Sequence, residues 1–546
     1  MPDVNVPSFE IETTTRHGDL VRADVYLPKD ASGPFPVVLG AASYQKALRH
    51  LPVNSAFFFV EYGPMQLYLD HGYAYVAFDV PGTGRSEGNW DPVSRAEGEA
   101  IHDMIEHVAG LEWCTGNIGM IGMSHYCWSQ WNAARTKPPH LKTIAAFDGA
   151  TDMYRDWMYV GGIPVQGFLN SWLLGSILLQ HEANGIDFHV GHKDQFIYDL
   201  YSHPTDDEWH RRRSPFWELP DVSIPVFSIG AWGKAGLHLR GNFEGFRQVS
   251  GPKQLLITHP SSFGATQMLF ADQDFHEREM LPWYDHHLKG VDNGVMERPK
   301  VRFFVKGEDK YTAATQWPPA DATPSDFYLS GVKSDRVASL NDGSLMEVSP
   351  TSKDGSTSWS YPDAKWQAGV SVFDMNGVPD HVARVNTDTT AAFDRDREFT
   401  GEGVLILHAS SDQIDMDVIV KVTLLTDVPG RPRVTKVTQG WLRASHRAED
   451  SERTTDMRPF HTHDRVAPIE PGTIYELRVE LLPMSVFVRK GERLRVEISN
   501  WDSPIADAPM THWYGQKVGS DTYHHNADHP SCLRLHERPR SPASGT

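Results

Sequence analysis

The sequence predicts an α/β domain with a mostly parallel sheet, interrupted by a helical insertion and followed by an all-β domain. Three observations predict it. Short apolar runs bounded by Gly, Pro and Asp alternate with helical stretches from Asp19 to about Trp317. That rhythm stops between Gly149 and Leu219, where Trp157, Trp172, Trp209 and Trp217 fall in a stretch with no convincing strand pair. After Pro318–Pro319, short strands with period-two alternation follow one another with no helical pattern between them.

The strands expected of the first domain are Pro36–Gly40, Tyr73–Val80, Ile118–Gly122, Thr143–Phe147, Pro225–Ile229 and Gln254–Thr258. Their near-continuous apolar character is that of parallel strands buried on both faces. Between the second and third, Arg95–Trp113 sets Ile101, Ile105, Val108 and Leu111 on one helical face. The insertion reads either as an excursion with its own small core or as a lid over a pocket. Its start at a strand end, where ligands bind in such sheets, favours the lid.

In the second domain the expected strands are Asp326–Leu329, Gly403–Leu407, Val418–Leu425, Val434–Arg443, Tyr475–Leu482 and Leu494–Ser499. In the last, Leu494, Val496 and Ile498 alternate with Arg495, Glu497 and Ser499, the pattern of a β-sandwich or jelly roll. The expected boundaries are 1–148 and 222–320 for the α/β domain, 149–221 for a helical cap, and 321–546 for the jelly-roll domain.

At 546 residues, 40% hydrophobic and 11% aromatic, the chain has room for two to four domains and a large core, which excludes wholesale disorder. Its 51 basic against 71 acidic residues give a net charge of −20, which argues against sequence-independent nucleic-acid binding. Three cysteines (Cys114, Cys127, Cys532) exclude a disulfide framework and a four-cysteine zinc site. The start MPDVNVPSFEIE shows neither a basic n-region nor an apolar h-region. The longest apolar candidate, around Ala56–Val60, is far short of the ~18 residues a membrane helix needs. A soluble, cytoplasmic protein is expected, with no nucleic-acid or membrane partner.

The most informative segment is Gly119-Met120-Ile121-Gly122-Met123-Ser124-His125-Tyr126. A buried strand enters Gly122-x-Ser124 and helix-compatible residues follow to Arg135, the strand–turn–helix setting of a nucleophile elbow. Such a turn lifts the Ser124 hydroxyl above the sheet and aims the His125 backbone N–H at a developing oxyanion. Tyr126 stands where the usual G-x-S-x-G pattern ends in glycine. The alternative for Ser124 is a plain helix N-cap.

Several blocks in order resemble one family: Leu39–Lys46 (LGAASYQK), Ala77–Gly88 (AFDVPGTGRSEG), the GMSHY turn and Pro282–Val295 (PWYDHHLKGVDNGV). Gly440–Arg447, Phe487–Asn500 and His524–Ser531 extend the likeness through the β half. The set is similar to the CocE/NonD hydrolases, the cocaine-esterase-like and glutaryl-acylase-like enzymes related to X-Pro dipeptidyl-peptidases. The resemblance implies an α/β-hydrolase domain with a helical cap and a C-terminal jelly roll, working without cofactor or metal on a small-molecule ester or amide. It places the nucleophile on Ser124 and the oxyanion tyrosine on Tyr44, with the His125 N–H as second donor; a tyrosine capping a strand end is the other reading of Tyr44. Jelly-roll faces in such chains often assist dimer contacts, so a homodimer is one assembly it allows.

The family's acid and base are not matched. In Gly230-Ala231-Trp232-Gly233-Lys234, a lysine stands where the aspartate is expected. In Thr258-His259-Pro260-Ser261-Ser262-Phe263-Gly264, Phe263 takes the place of the histidine. Three residues are candidates for the missing base. His259 is the first, entering from the same rim or else capping its strand. Lys234 is the second, a base if desolvated beneath the cap, otherwise a surface lysine in a Gly-rich loop. His125 is the third, though its side chain is expected to point elsewhere. His238, opening a helix beyond the acid loop, reads as structural.

His461-Thr462-His463-Asp464 and His524-His525-x-x-Asp528-His529 lack helical His-x-x-x-His spacing and cysteine partners, so no metal is expected. Three functions stay open. The first is acyl transfer through Ser124, as esterase, acylase or peptidase. The second is a lyase or isomerase acting beside a carbonyl. The third is a non-catalytic binding protein.

Overall fold

The computed structural model describes residues 6–29, 31–46, 61–173, 177, 193–234, 236–336, 341–361, 385–429, 433–500 and 518–540, with side chains omitted at 171, 193–195 and 197. The apolar segment at Ala56–Val60 lies outside the described residues. The chain divides into two compact units: 1–157, 170–203 and 207–303 in the first, and 158–169, 204–206 and 304–546 in the second.

The first unit is built on a mixed sheet. Its strands are β1 (Phe9–Thr14), β2 (Leu20–Tyr26), β3 (Phe35–Ala42), β4 (Ala74–Asp79), β5 (Cys114–Met120), β6 (Leu141–Phe147), β7 (Val226–Ala231), β8 (Lys253–Thr258) and β9 (Val301–Val305). They run in the order β1-β2-β4-β3-β5-β6-β7-β8-β9. From β4 to β9 every neighbouring pair is parallel, while β1–β2 and β2–β4 are antiparallel. The six buried runs expected to be strands are β3 to β8. The antiparallel edge β1–β2 was not among them: FEIETT on β1 is largely exposed and carries no buried run.

Both faces of the sheet are covered, which is why its strands are apolar throughout. On one face lie α1 (Arg95–Ala109) and α2 (His125–Arg135), with Ile101, Met104, Ile105, Val108 and Trp131 packed against Val37, Leu39 and Ile118. On the other, α3 (Leu281–Lys289) supplies Leu281, Trp283, Tyr284 and Leu288 against Val38, Tyr75, Phe147 and Phe227. Helix α1 starts where Ser94 accepts from the Glu97 N–H and stops at Gly110, short of the Trp113 that periodicity suggested. The strand order reverses between β3 and β5, which puts the crevice at their C-terminal ends at a topological switch point.

Within 149–221 the described elements are mostly helical: Gln166–Ser171, Lys193–Ser202, Glu208–Arg211 and a 3-10 turn at Pro215–Asp221. A ladder of two residues a side, Tyr159–Val160 with Ile163–Pro164, also occurs, too short to leave a sequence pattern.

From 304 onward the second unit is built of β-strands. Its six expected strands are present, extended at their ends, as Thr323–Ser330, Arg397–Ser411, Asp417–Thr426, Arg433–Arg443, Tyr475–Val488 and Arg493–Ser499. Five more join them, at Asn341–Met346, Ser356–Tyr361, Asn386–Thr390, Gly519–His524 and Cys532–Arg538. Cys532–Arg538 pairs both with Thr323–Ser330 and with Arg397–Ser411, so the sheet closes on itself as a barrel. Asn386–Thr390 (NTDTT) is buried although wholly polar, a strand no hydrophobic pattern reveals.

Candidate active site

Ser124 sits between the end of β5 and the start of α2 with φ 62° and ψ −119°. That is strained backbone for a residue with a side chain, and it is what an elbow requires. Its hydroxyl caps nothing in the helix it precedes, so the N-cap alternative is not what the side chain does. Gly122 makes the turn feasible: at φ 131°, a Cβ there would lie 2.2 Å from the Tyr126 Cβ. Tyr126 fits in place of the usual glycine because Gly40 on β3 leaves room, where a Cβ would crowd the Tyr126 ring at 3.3 Å.

The turn is tied down from both sides. The Met123 N–H donates to the Glu61 carbonyl at 2.9 Å, and the Ser124 N–H donates to the Asp148 carbonyl at 3.0 Å. Asp148, directly after β6, is itself held at φ 55°, and its N–H donates to Ile229 on β7 at 2.6 Å. Asp148 is therefore fixed to β7 on one side and to the serine on the other.

Tyr44 lies just beyond β3, across the switch point from Ser124. The Ser124 hydroxyl is among the polar groups that act on the Tyr44 phenol. The Trp172 Nε1–H donates to Tyr44 Oη at 2.8 Å, fixing the phenol from the other side. Burial pushes the Tyr44 phenol well above its usual range, so it stays a neutral hydrogen-bond donor. The His125 ring is also buried, edge-on to Tyr44 at 5.8 Å, 5.9 Å from Trp172, with Nε2 3.5 Å from Glu97 Oε1. Trp172 stands 4.9 Å from Trp157, and Trp157 stands 4.6 Å from Trp128, an aromatic wall beside the serine turn.

Lys234 follows β7 and is fully buried. Its Nζ is 3.4 Å from Asp148 Oδ2 and 3.4 Å from the centroid of the Phe263 ring. The residues at the two unmatched family positions thus contact each other, as ammonium over aromatic face rather than carboxylate to imidazole. Burial lowers the Lys234 amine, with Asp148 and then Glu61 acting in the opposite sense. Glu61 is buried too, accepting from Gln267 Nε2 at 3.4 Å, and burial pushes its carboxyl up to about 8 against the pull of Lys234. The His238 Nδ1–H donates to Asp148 Oδ2 at 3.2 Å.

Of the residues singled out by sequence, the structure brings Ser124, Tyr44 and His125 together at the turn. It sets Lys234 on Asp148, the residue that carries Ser124. His259 is exposed just past β8, and is not among the partners of Asp148. Sequence reasoning passed over Asp148 and Glu61, placed Trp172 in the aromatic insertion without tying it to Tyr44, and set His238 aside as structural. Only Asp148 carried a readable signal, a carboxylate ending the apolar run Thr143–Phe147.

A chain with this fold and this serine turn matches two family models. Residues 17–262 match X-Pro dipeptidyl-peptidase (S15 family), and residues 293–534 match the X-Pro dipeptidyl-peptidase C-terminal non-catalytic domain. Cocaine esterase of Rhodococcus sp. (strain MB1 Bresler) is 26% identical over 546 residues, covering 90% of each chain. A crystal structure of a CocE/NonD family hydrolase from Staphylococcus aureus superposes with a TM-score of 0.80 at 24% identity, covering 96% of this chain and 93% of that one. An α-amino acid ester hydrolase superposes with a TM-score of 0.72 at 16% identity, covering 98% of each.

Proposed function

Since the chain belongs to the X-Pro dipeptidyl-peptidase-like hydrolases of the CocE/NonD family, we propose that it cleaves a small-molecule ester or amide through an acyl-Ser124 intermediate. One observation carries the assignment: Ser124 is held at φ 62° in an elbow, with its hydroxyl spent on no helix cap and acting on the Tyr44 phenol.

The chemistry follows from that placement. Ser124 Oγ attacks the carbonyl carbon, and negative charge collects on the carbonyl oxygen. The Tyr44 phenol and the His125 backbone N–H, the first of helix α2, converge on that oxygen. Trp172 keeps the phenol oriented throughout, so little reorganisation accompanies the charge shift. The aromatic wall of Trp128, Trp157 and Trp172 suits an apolar or aromatic acyl group. The acceptor of the serine proton belongs to the buried group on Asp148, which includes Lys234. No cofactor is needed at any step.

Labelling with a fluorophosphonate, read by intact mass, tests this. One adduct on the wild type and none on Ser124→Ala is the expected result. An ester turned over in water enriched in heavy oxygen should yield an acid carrying the label, as hydrolysis demands. Equal labelling of both proteins, or a product without solvent oxygen, would remove acyl transfer.

A further inference from the structure

Ser124 needs a proton acceptor, and the two family positions for acid and base hold Lys234 and Phe263. A phenyl ring accepts no proton, and Lys234 Nζ is committed to Asp148 and to the face of that ring. We propose that His238 and Asp148 form the acid–base pair of this site, with His238 taking the Ser124 proton and Asp148 orienting the imidazole. The proposal rests on the acyl-transfer reading and supplies the group that reading lacks.

Position is the first argument. Asp148 follows β6, the strand beside the nucleophile strand, and its own carbonyl holds the Ser124 N–H at 3.0 Å. A carboxylate anchored this way cannot drift from the serine. The tautomer is the second. The His238 Nδ1–H donates to Asp148 Oδ2 at 3.2 Å, so Nε2 of the neutral ring keeps its lone pair, and no hydrogen bond occupies it among the described residues. Orientation is the third: the imidazole packs edge-on against Trp128 at 6.0 Å, one turn into the helix that Ser124 begins. Strain is the fourth. An aspartate held at φ 55° between β7 and the serine turn is a costly conformation, of the kind that persists where function requires a side chain to be aimed.

The proton balance closes. As Ser124 Oγ bonds to the carbonyl carbon, its O–H bond breaks and the proton passes to His238 Nε2. Collapse of the tetrahedral intermediate breaks the bond to the leaving alkoxide or amine, which takes the proton from the imidazolium. Water then repeats the sequence on the acyl-serine, and the enzyme ends with the protons it began with.

His238 faces Asp148, Lys234 and the Trp128 ring, and Asp148 in turn faces Lys234, Cys127 and Glu61. Burial lowers His238 below its usual range, Asp148 opposes that, and Lys234 lowers it further. A protonated imidazole accepts nothing, so the reaction rate should climb with pH through one limb lying below the ordinary imidazole value of about 6.5.

The experiment is the second-order rate of fluorophosphonate labelling of the full-length protein from about pH 5 to about pH 9, bracketing histidine titration. His238→Gln should label ~10²–10⁴-fold more slowly and lose the limb. Asp148→Asn should slow labelling too, by freeing the wrong tautomer. Lys234→Met should keep the limb but move it to higher pH, because a charge that lowers His238 has gone. That variant decides the matter if His238→Gln fails to fold. An unchanged rate and limb in His238→Gln, or loss of the limb in Lys234→Met, overturns the proposal. A wild type that takes no label overturns both this proposal and the Ser124 reading, so the two failures are told apart.

Discussion

The rim that carries Ser124 and Tyr44 and the rim that carries Lys234 and Phe263 belong to one sheet but are built by different rules. On the first, function depends mainly on backbone. A glycine at φ 131°, a serine at φ 62° and a helix N-terminus create the elbow, and the Tyr44 phenol, held by Trp172, is the proposed second donor. On the second, function depends on which side chains end β7 and β8, and there an ammonium lies over a phenyl ring. Backbone-built features survive substitution around them, as Tyr126 survives in the elbow because Gly40 yields space. A side-chain pair has no such protection. Changing one member obliges its neighbours to rebalance the charge, and Asp148, Glu61 and His238 form the buried setting in which Lys234 is tolerated.

The sharpest way to break this comparison is to remove the cation. Lys234 and Asp148 are both fully buried, and stripping one partner from a buried ion pair costs ~3–5 kcal/mol because the other charge is left uncompensated. Lys234→Met should lower the thermal midpoint by that equivalent, and adding Asp148→Asn should recover much of it. Denaturant unfolding of the two variants measures both numbers. A single variant as stable as the wild type would mean that the second rim does not depend on its charges.

The first rim should respond in rate rather than stability. Tyr44→Phe removes the proposed donor to the oxyanion, which should cost ~10²–10³ in turnover, while leaving the buried ring in place. The thermal midpoint should stay near that of the wild type, although the Trp172 Nε1–H loses its acceptor. A fall confined to KM would assign Tyr44 to substrate binding instead.

Legibility divides along the same line. Strands β3 to β8 were readable because burial on both faces leaves an apolar run, and the elbow because Gly-x-Ser follows such a run directly. The antiparallel edge at Phe9–Thr14 and the buried polar strand Asn386–Thr390 carry no such signal. Tyr44 stood out through its family block, but its clamp by Trp172 spans 128 residues of sequence and leaves no local trace. Glu61 and Asp148 escaped for a related reason: each acts through a backbone carbonyl as well as a carboxyl, and sequence shows only the second. His238 was legible as a histidine and illegible as a partner of Asp148, since a contact between two loops is decided by folding.

At neutral pH and below the effect of Glu61 is masked, and the sign of its pH dependence tells whether the second rim holds a neutral acid. Burial raises its carboxyl from 4.5 to about 8. Between those values the folded protein keeps a proton that the unfolded chain has released. The unfolded state then binds fewer protons, so stability from this group is fully present below about 4.5 and declines as pH rises towards 8. Glu61→Gln keeps the shape and removes the titration. The variant should therefore lose less stability than the wild type across that window, with midpoints diverging by a few degrees at its alkaline end. Lys234 should be little disturbed below pH 8, because the group it faces is uncharged in both proteins. Melting curves measured in steps across the window give the comparison. Parallel curves for the two proteins would mean that Glu61 is ionised in the folded state, and that two carboxylates rather than one balance Lys234.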